Sequence, residues 1–350
     1  MRTNEADFSG WFLQQRVLCD VSHRDLSASF LGRRHALPLL LAPVGFAGML
    51  APRGEVQAAR AAKAAGIGYC LSTVSICSLE EVAATGIKPL YFQLYVLKDR
   101  GWVEEMISRA ESAGVDGIFL TVDTAVGSVR ERDVRNAFQV AKRPSARIMA
   151  DVALHPRWAL GMLGALPLGI GNLPRSFDGG RGGILQQAAK FAQSLDASLT
   201  WDFVHQIRSR WRGKLVLKGI LSVDDAIKAA ERDVDAIVVS NHGGRQLDGS
   251  SSAISALPDI CEAVGDRIEV LFDSGLRRGT HVVKALALGA RGCLLGRAYA
   301  YGLAARGEAG VRSAVEFLRK EIDTSVALMG CRAIADLRRT HVTRHTLAVM

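Results

Sequence analysis

The stretch Ala236-Ile237-Val238-Val239-Ser240-Asn241-His242-Gly243-Gly244-Arg245-Gln246-Leu247-Asp248-Gly249 joins two kinds of sequence. Its first four residues are uniformly apolar, the pattern of a strand buried on both faces. Where that run stops, the chain turns polar at once. His242, of a residue type that titrates near neutral pH, and Arg245 leave the same strand end. The two glycines between them let the backbone turn tightly and approach a ligand. A general base beside a carboxylate clamp is placed in this way. A lone histidine is more often a satisfied loop residue, so the weight falls on whether other strand ends supply partners.

Short apolar runs recur at 37–42, 68–71, 90–94, 117–122, 214–217, 236–239, 269–272 and 293–295. Between them, segments at 53–65, 79–84, 101–113, 201–211, 223–231, 253–264 and 280–288 carry apolar residues at helical spacing. Strand–helix alternation repeated eight times predicts an α/β fold of the (β/α)8 TIM barrel type. A doubly wound sheet is the alternative, but no GxGxxG follows the first strand. Barrel chemistry sits at the C-terminal ends of the strands, and polar residues stand there in turn. They are Ser72, Gln93 with Tyr95, Thr121 with Asp123, Lys218, Ser240 with His242, Asp273-Ser274-Gly275, and Gly296-Arg297.

The chain has 350 residues, 49% hydrophobic and 23% charged, as expected of one globular barrel domain over 1–350. Within it the reading sets apart an N-terminal segment 1–35, an insertion 124–198 and C-terminal helices 310–350. Lys and Arg number 44 against 35 Asp and Glu, a net charge of +9. That balance favours anionic ligands or an acidic membrane surface, although the charges are scattered. Without a base-reading motif or a basic stripe, no nucleic-acid partner is expected. Cys19, Cys70, Cys77, Cys261, Cys293 and Cys331 form no CxxC and no zinc spacing, so no metal is expected. No secretory leader pattern opens the chain, and a cytoplasmic protein with reduced thiols is the expectation.

The insertion is too long for a simple connection. It contains the loop signal Gly179-Gly180-Arg181-Gly182-Gly183, and between Arg157 and Arg175 it carries no charge. That run is shorter than a spanning helix needs and is broken by Pro167 and glycines. Two readings stay open: a monotopic contact with the inner face of the cell membrane, and a lid packed on the barrel or a neighbouring subunit.

The run 240–249, with Thr121-Val122-Asp123-Thr124, Tyr91-Phe92-Gln93-Leu94-Tyr95 and Leu217-Lys218-Gly219-Ile220, closely resembles the FMN-dependent 2-hydroxy acid oxidase and dehydrogenase family. The resemblance runs from about Asn4 to the C-terminal region. It implies FMN as cofactor and oxidation of an L-2-hydroxy acid to the 2-oxo acid, with electrons passing to a quinone or another carrier. It further implies a homo-oligomer. His242 becomes the base, taking either the hydroxyl proton as hydride leaves or the Cα proton; this choice stays open. Asp123 orients the imidazole and stabilises its cation. Arg245 grips the carboxylate with its guanidinium fork, while Arg130 and Tyr95 align with further substrate contacts. For FMN, the resemblance implies backbone contacts from Pro43, Val44 and Gly45. Ser72, Gln93, Thr121 and Ser240 join the ring site, and Lys218 stands where negative charge builds on reduction. Asp273, Ser274, Gly275, Leu276, Arg277, Gly296 and Arg297 hold the ribityl chain and phosphate.

Several motifs refine the branch. Ser274 and Gly45 stand where oxidases often have glycine and alanine, and both resemble the bacterial dehydrogenases. Arg53-Gly54-Glu55-Val56-Gln57-Ala58-Ala59 looks like L-lactate dehydrogenases. Arg130-Glu131-Arg132-Asp133, His155-Pro156-Arg157-Trp158 and Leu303-Ala304-Ala305-Arg306-Gly307-Glu308 look more like (S)-mandelate dehydrogenases. Lactate is the leading substrate, and mandelate or another aryl or long-chain acid follows. Family members usually carry a leading helix with an active-site tyrosine before the segment matching 4–22, and no tyrosine precedes Tyr69 here. A start read too late is the expectation; an enzyme that works without that contact and a flavin-binding protein without turnover are the alternatives. A phosphate-ligand barrel of another class lacks a reason for Lys218, Asp123, His242 and Arg245 together.

Overall fold

The computed structural model describes residues 2–128, 146–165, 168–173 and 183–344. Eight parallel strands form a closed barrel: β1 (Leu39–Leu41), β2 (Gly68–Ser72), β3 (Leu90–Leu94), β4 (Gly117–Thr121), β5 (Lys214–Ile220), β6 (Ala236–Val239), β7 (Glu269–Phe272) and β8 (Gly292–Leu295). Neighbours in sequence are neighbours in the sheet, and β8 pairs back onto β1 with Cys293 opposite Leu39 and Leu295 opposite Leu41. The expected TIM barrel is the observed architecture.

The strands read as continuous apolar runs because both faces are covered. Leu40, Cys70, Tyr91, Phe119, Val216, Val238, Leu271 and Leu294 fill the barrel lumen. The alternating residues, among them Leu39, Leu71, Phe92, Leu120, Leu217 and Ile237, pack outward into the helix layer. Strand β5 runs further than its apolar pattern, to Ile220, across an irregularity in its pairing with β6 between Lys218 and Ile220.

The segment 1–35 contains a feature that periodicity does not reveal. Strands Ala28–Phe30 and Arg33–His35 form a hairpin whose turn residues, Leu31 and Gly32, both have positive φ, as a tight two-residue hairpin requires. Phe30 and Leu31 enter the lumen cluster and close the barrel floor. The Glu269 carboxylate accepts the Leu31 N–H at 2.7 Å. His35 is fully buried and stacks on Phe30 at 4.0 Å. Neither of its ring nitrogens has a hydrogen-bond partner among the described residues.

Burial depresses the His35 pKa from 6.5 to about 4. Its neutral form is therefore favoured by the fold, and the unfolded chain gains a proton first as pH falls. Stability should fall between about pH 6.5 and pH 4 and level off below. By pH 5 the loss from this group is about 2 kcal/mol. Denaturant midpoints at pH 7 and pH 5 should accordingly separate more for the wild type than for His35→Leu. Equal separations would remove His35 from the acid response.

The C-terminal segment 310–350 was expected as helices. One long helix, Arg297–Leu328, is interrupted at Arg306 and Gly307, and Gly307 takes a positive φ. Beyond it come 3-10 turns at Ile334–Asp336 and Arg339–His341, and strand Val342–Arg344 pairs antiparallel with Trp11–Leu13. The described parts of the insertion include helices Ala146–Leu154, Pro156–Leu163 and Ile184–Ser194. Asn172 pins it to the barrel by accepting the Leu79 N–H and donating to Ser75 Oγ. Trp158 donates its indole N–H to the Met49 carbonyl. Among the described residues, no helix is long and apolar enough to cross a membrane. Arg130 and 179–182 lie outside the described residues.

Candidate active site

Three consecutive residues after β6, His242, Gly243 and Gly244, adopt positive φ of 57°, 69° and 71°. For histidine that conformation is strained by the β-carbon, so the surroundings must hold it. Each backbone N–H is taken up by a side chain: His242 by Ser240 Oγ (3.0 Å), Gly243 by Ser274 Oγ (3.0 Å) and Gly244 by Asn241 Oδ1 (3.0 Å). Ser274 itself has a φ of 90°. Arg297 donates to the Gly243 carbonyl at 3.1 Å.

The loop aims the imidazole across the barrel mouth. Nδ1 of His242 lies 2.9 Å and 3.2 Å from the two carboxylate oxygens of Asp123, at the end of β4. A carboxylate there selects the Nδ1–H tautomer and leaves a lone pair on Nε2. Nε2 is 3.3 Å from the Tyr95 hydroxyl. Asp123 can approach this closely because β5 has a glycine opposite it. A β-carbon at Gly219 would stand 2.5 Å from the Asp123 carboxyl carbon. Gln246 donates to the Asp123 carbonyl, tying the β6 loop to the β4 end.

Beneath the imidazole lies a buried ion pair. Lys218 Nζ is 2.9 Å from Asp273 Oδ2, and Ser240 Oγ sits 3.3 Å from both. Burial opposes both charges. The carboxylates of Asp273 and Asp123 outweigh it for Lys218, whose ammonium is held above the ordinary lysine range. Burial likewise works to raise Asp273, and Lys218 overcomes it, holding that carboxyl below its ordinary value. On the opposite wall, Ser72 Oγ donates to Gln93 Oε1 (3.1 Å) and Gln93 Nε2 donates to Thr121 Oγ1 (2.8 Å). These bonds link the ends of β2, β3 and β4.

A cavity of about 300 Å³ opens between these walls. Pro43, Val44, Gly45, Ser72, Tyr95, Lys218, His242 and Arg245 line one part of it. Asp273, Ser274, Gly275, Leu276, Arg277, Gly296 and Arg297 line the other. Gln93, Thr121 and Ser240 do not reach it; they are hydrogen-bonded behind residues that do. At the β7–β8 end, burial and the neighbouring Arg277 hold Arg297 below its ordinary range. The long helix Arg297–Leu328 starts at that point. Arg277 is paired with Glu5 at 2.9 Å, so Arg297, at the helix N-terminus, is the guanidinium that an anion would relieve. The arrangement can hold a phosphate-bearing planar ligand, fix a carboxylate and move one proton at Nε2.

Phe46 and Val74 also line the cavity and were not expected; Gly243, one of the two glycines expected to approach a ligand, lines it too. Phe46 lies in the loop directly after β1 with a φ of 58°, and Val74 follows Ser72 and Thr73, so the strand-end rule could have found both. Among the described residues no metal-binding cluster occurs.

A family model described as FMN-dependent dehydrogenase matches residues 1–344. The L-lactate dehydrogenase of Caulobacter vibrioides is 47% identical over 342 residues, covering 97% of this chain and 88% of its own. That of Azorhizobium caulinodans is 46% identical over 341 residues, covering 97% and 89%. Among solved structures, a monotopic membrane protein, (S)-mandelate dehydrogenase, superposes with a TM-score of 0.93 at 39% identity, covering 98% of this chain and 91% of its own.

Proposed function

Because the chain belongs to the FMN-dependent dehydrogenase family, we propose that this oxidoreductase converts L-lactate to pyruvate, with His242 as the base. The single observation that carries the proposal is the His242–Asp123 pair at 2.9 Å, facing the same cavity as Arg245 and Lys218. FMN is the cofactor, and the residues present suit it: Arg297, destabilised by burial and by Arg277, stands with the Glu5-paired Arg277 at one end of the cavity, and the buried Lys218 cation stands in its wall. When bound, FMN supplies the two-electron acceptor that the side chains cannot provide.

Arg245 holds the substrate carboxylate in a bidentate grip, which places C2 and its hydroxyl before His242. Nε2 of His242 takes the proton, and the adjacent Asp123 stabilises the imidazolium that forms. Asp123 also fixes which nitrogen does this work. The Tyr95 hydroxyl, already 3.3 Å from Nε2, orients the reacting oxygen. Lys218 presents a fixed positive charge that needs no reorganisation during the reaction. Hydride transfer and Cα-proton abstraction use the same residues. Arg130 is assigned to the substrate on its resemblance alone.

A second substrate reading, (S)-mandelate or another aryl acid, is favoured by the 0.93 TM-score to (S)-mandelate dehydrogenase. That neighbour is a monotopic membrane protein. In this chain the exposed Met149, Leu154, Leu160 and Leu163 of the insertion support the same peripheral contact with the inner face of the membrane. A quinone would be the electron acceptor there.

The deciding experiment is anaerobic mixing of the FMN-loaded protein with L-lactate and with (S)-mandelate, following flavin absorbance at about 450 nm. Bleaching by L-lactate is expected. Bleaching by (S)-mandelate alone would move the substrate to the aryl class, and bleaching by neither would overturn the proposed activity.

A further inference from the structure

The strained loop that carries His242 is held from outside the barrel by a residue far away in sequence. Asn4 is 3% exposed and forms a reciprocal amide pair with Asn241: its Nδ2 donates to Asn241 Oδ1 at 2.7 Å, and Asn241 Nδ2 donates back to Asn4 Oδ1 at 2.9 Å. Both amides are oriented independently by backbone on their far sides. Asn4 Oδ1 accepts the Ala253 N–H, and Asn241 Nδ2 donates to the Ser251 carbonyl. Asn241 Oδ1 in turn accepts the Gly244 N–H, which it shares with the Asn241 carbonyl. One asparagine oxygen therefore receives two donors, one from the left-handed loop and one from Asn4.

We propose that Asn4 is a positioning residue for the base: by fixing the side-chain amide of Asn241, it holds the left-handed backbone of 242–244 and so the reach of His242. Asn4 touches neither the cavity nor the imidazole. Its effect passes through Asn241, which is adjacent to the base in sequence. Without Asn4 the Asn241 amide keeps only the Ser251 carbonyl and the Gly244 N–H to set its orientation, and loses the 2.7 Å donor and the 2.9 Å acceptor that clamp it from outside. Ser240 and Ser274 hold the other two N–H groups and are themselves held within the barrel mouth, by each other and, for Ser240, by Lys218 and Asp273. The third bond is thus the one that an outside residue controls. The carbonyl of Asn4 lies against Gly275 and is retained in any side-chain variant, which separates the loop from the phosphate end of the cavity.

This inference rests on His242 acting as the base, and its test has a readout that does not. In the holoprotein, Asn4→Ala should speed hydrogen–deuterium exchange of the peptide covering 240–249 while exchange in β5 stays as in the wild type. The limiting rate of flavin reduction by L-lactate should fall about 10- to 100-fold, with flavin occupancy unchanged. The double variant Asn4→Ala/Asn241→Ala should be no slower than Asn241→Ala, because both act through one bond. Unchanged exchange overturns the proposal, as do rate effects that multiply or faster exchange with an undiminished rate. If Asn4→Ala yields no holoprotein, Asn4→Asp decides the same question, since it keeps the Oδ1 acceptor and sets a second acceptor oxygen where Nδ2 donated to Asn241. Full reduction rates in His242→Ala would overturn the base assignment and leave the exchange result standing.

Discussion

His242→Ala is expected to slow flavin reduction by L-lactate about 10⁴-fold while the protein keeps its bound flavin. The size follows from what is lost together. The proton acceptor disappears, Asp123 loses the cation it would stabilise, and Tyr95 loses the nitrogen 3.3 Å from its hydroxyl. Arg245 and Lys218 remain, so substrate binding should change far less than the reduction rate. The backbone needs its own control, because position 242 sits at a φ of 57° and alanine tolerates that conformation poorly. Asparagine tolerates it better, so His242→Asn should restore stability relative to alanine without restoring the rate. Anaerobic stopped-flow reduction with both variants reads the two effects apart. A rate within tenfold of wild type in either variant would mean that another group takes the proton.

Lys218→Met should have the largest effect on the fold, about 3–5 kcal/mol, measured as a loss of denaturant stability in the apoprotein. The ammonium and the Asp273 carboxylate are 2.9 Å apart with side chains 5% and 15% exposed. Removing one leaves the other buried without its counterion, which costs more than the pair contributes. Lys218→Met/Asp273→Leu should therefore recover most of the stability, since the Asp273 charge leaves with its 2.9 Å partner. Flavin affinity should recover in neither protein. If the double variant is no more stable than the single one, shape rather than charge accounts for the loss at this position.

The barrel was legible because its strands are buried on both faces and its site lies where those apolar runs stop. Asp273 and Lys218 stand at such stops, and their pairing follows from β5, β6 and β7 being neighbours. The rule predicts position along a strand but not depth. Gln93, Thr121 and Ser240 satisfy it, yet they lie one layer behind the cavity because their side chains bond to neighbouring strand ends. Contacts without local pattern were not legible. Asn4 and Asn241 are 237 positions apart, and nothing in either neighbourhood announces the other. The floor hairpin was hidden for a related reason: its strands are three residues long, too short for alternation to register. The same holds for Val342–Arg344, whose strand character comes from pairing with Trp11–Leu13.

The joining of β8 to β1 governs how this protein can be made. Until Leu295 leaves the ribosome, the unpaired edge of Leu39–Leu41 has no partner, and the Trp11–Leu13 strand waits longer still, for Val342–Arg344. At about 5–20 residues per second, the interval between synthesis of the first edge and of its mate lasts tens of seconds. Over that time the nascent chain carries an open, wholly apolar strand edge, the kind of surface on which chains pair with one another. Premature release leaves that edge uncovered for good, so shortened products of this gene should depend on chaperones or precipitate.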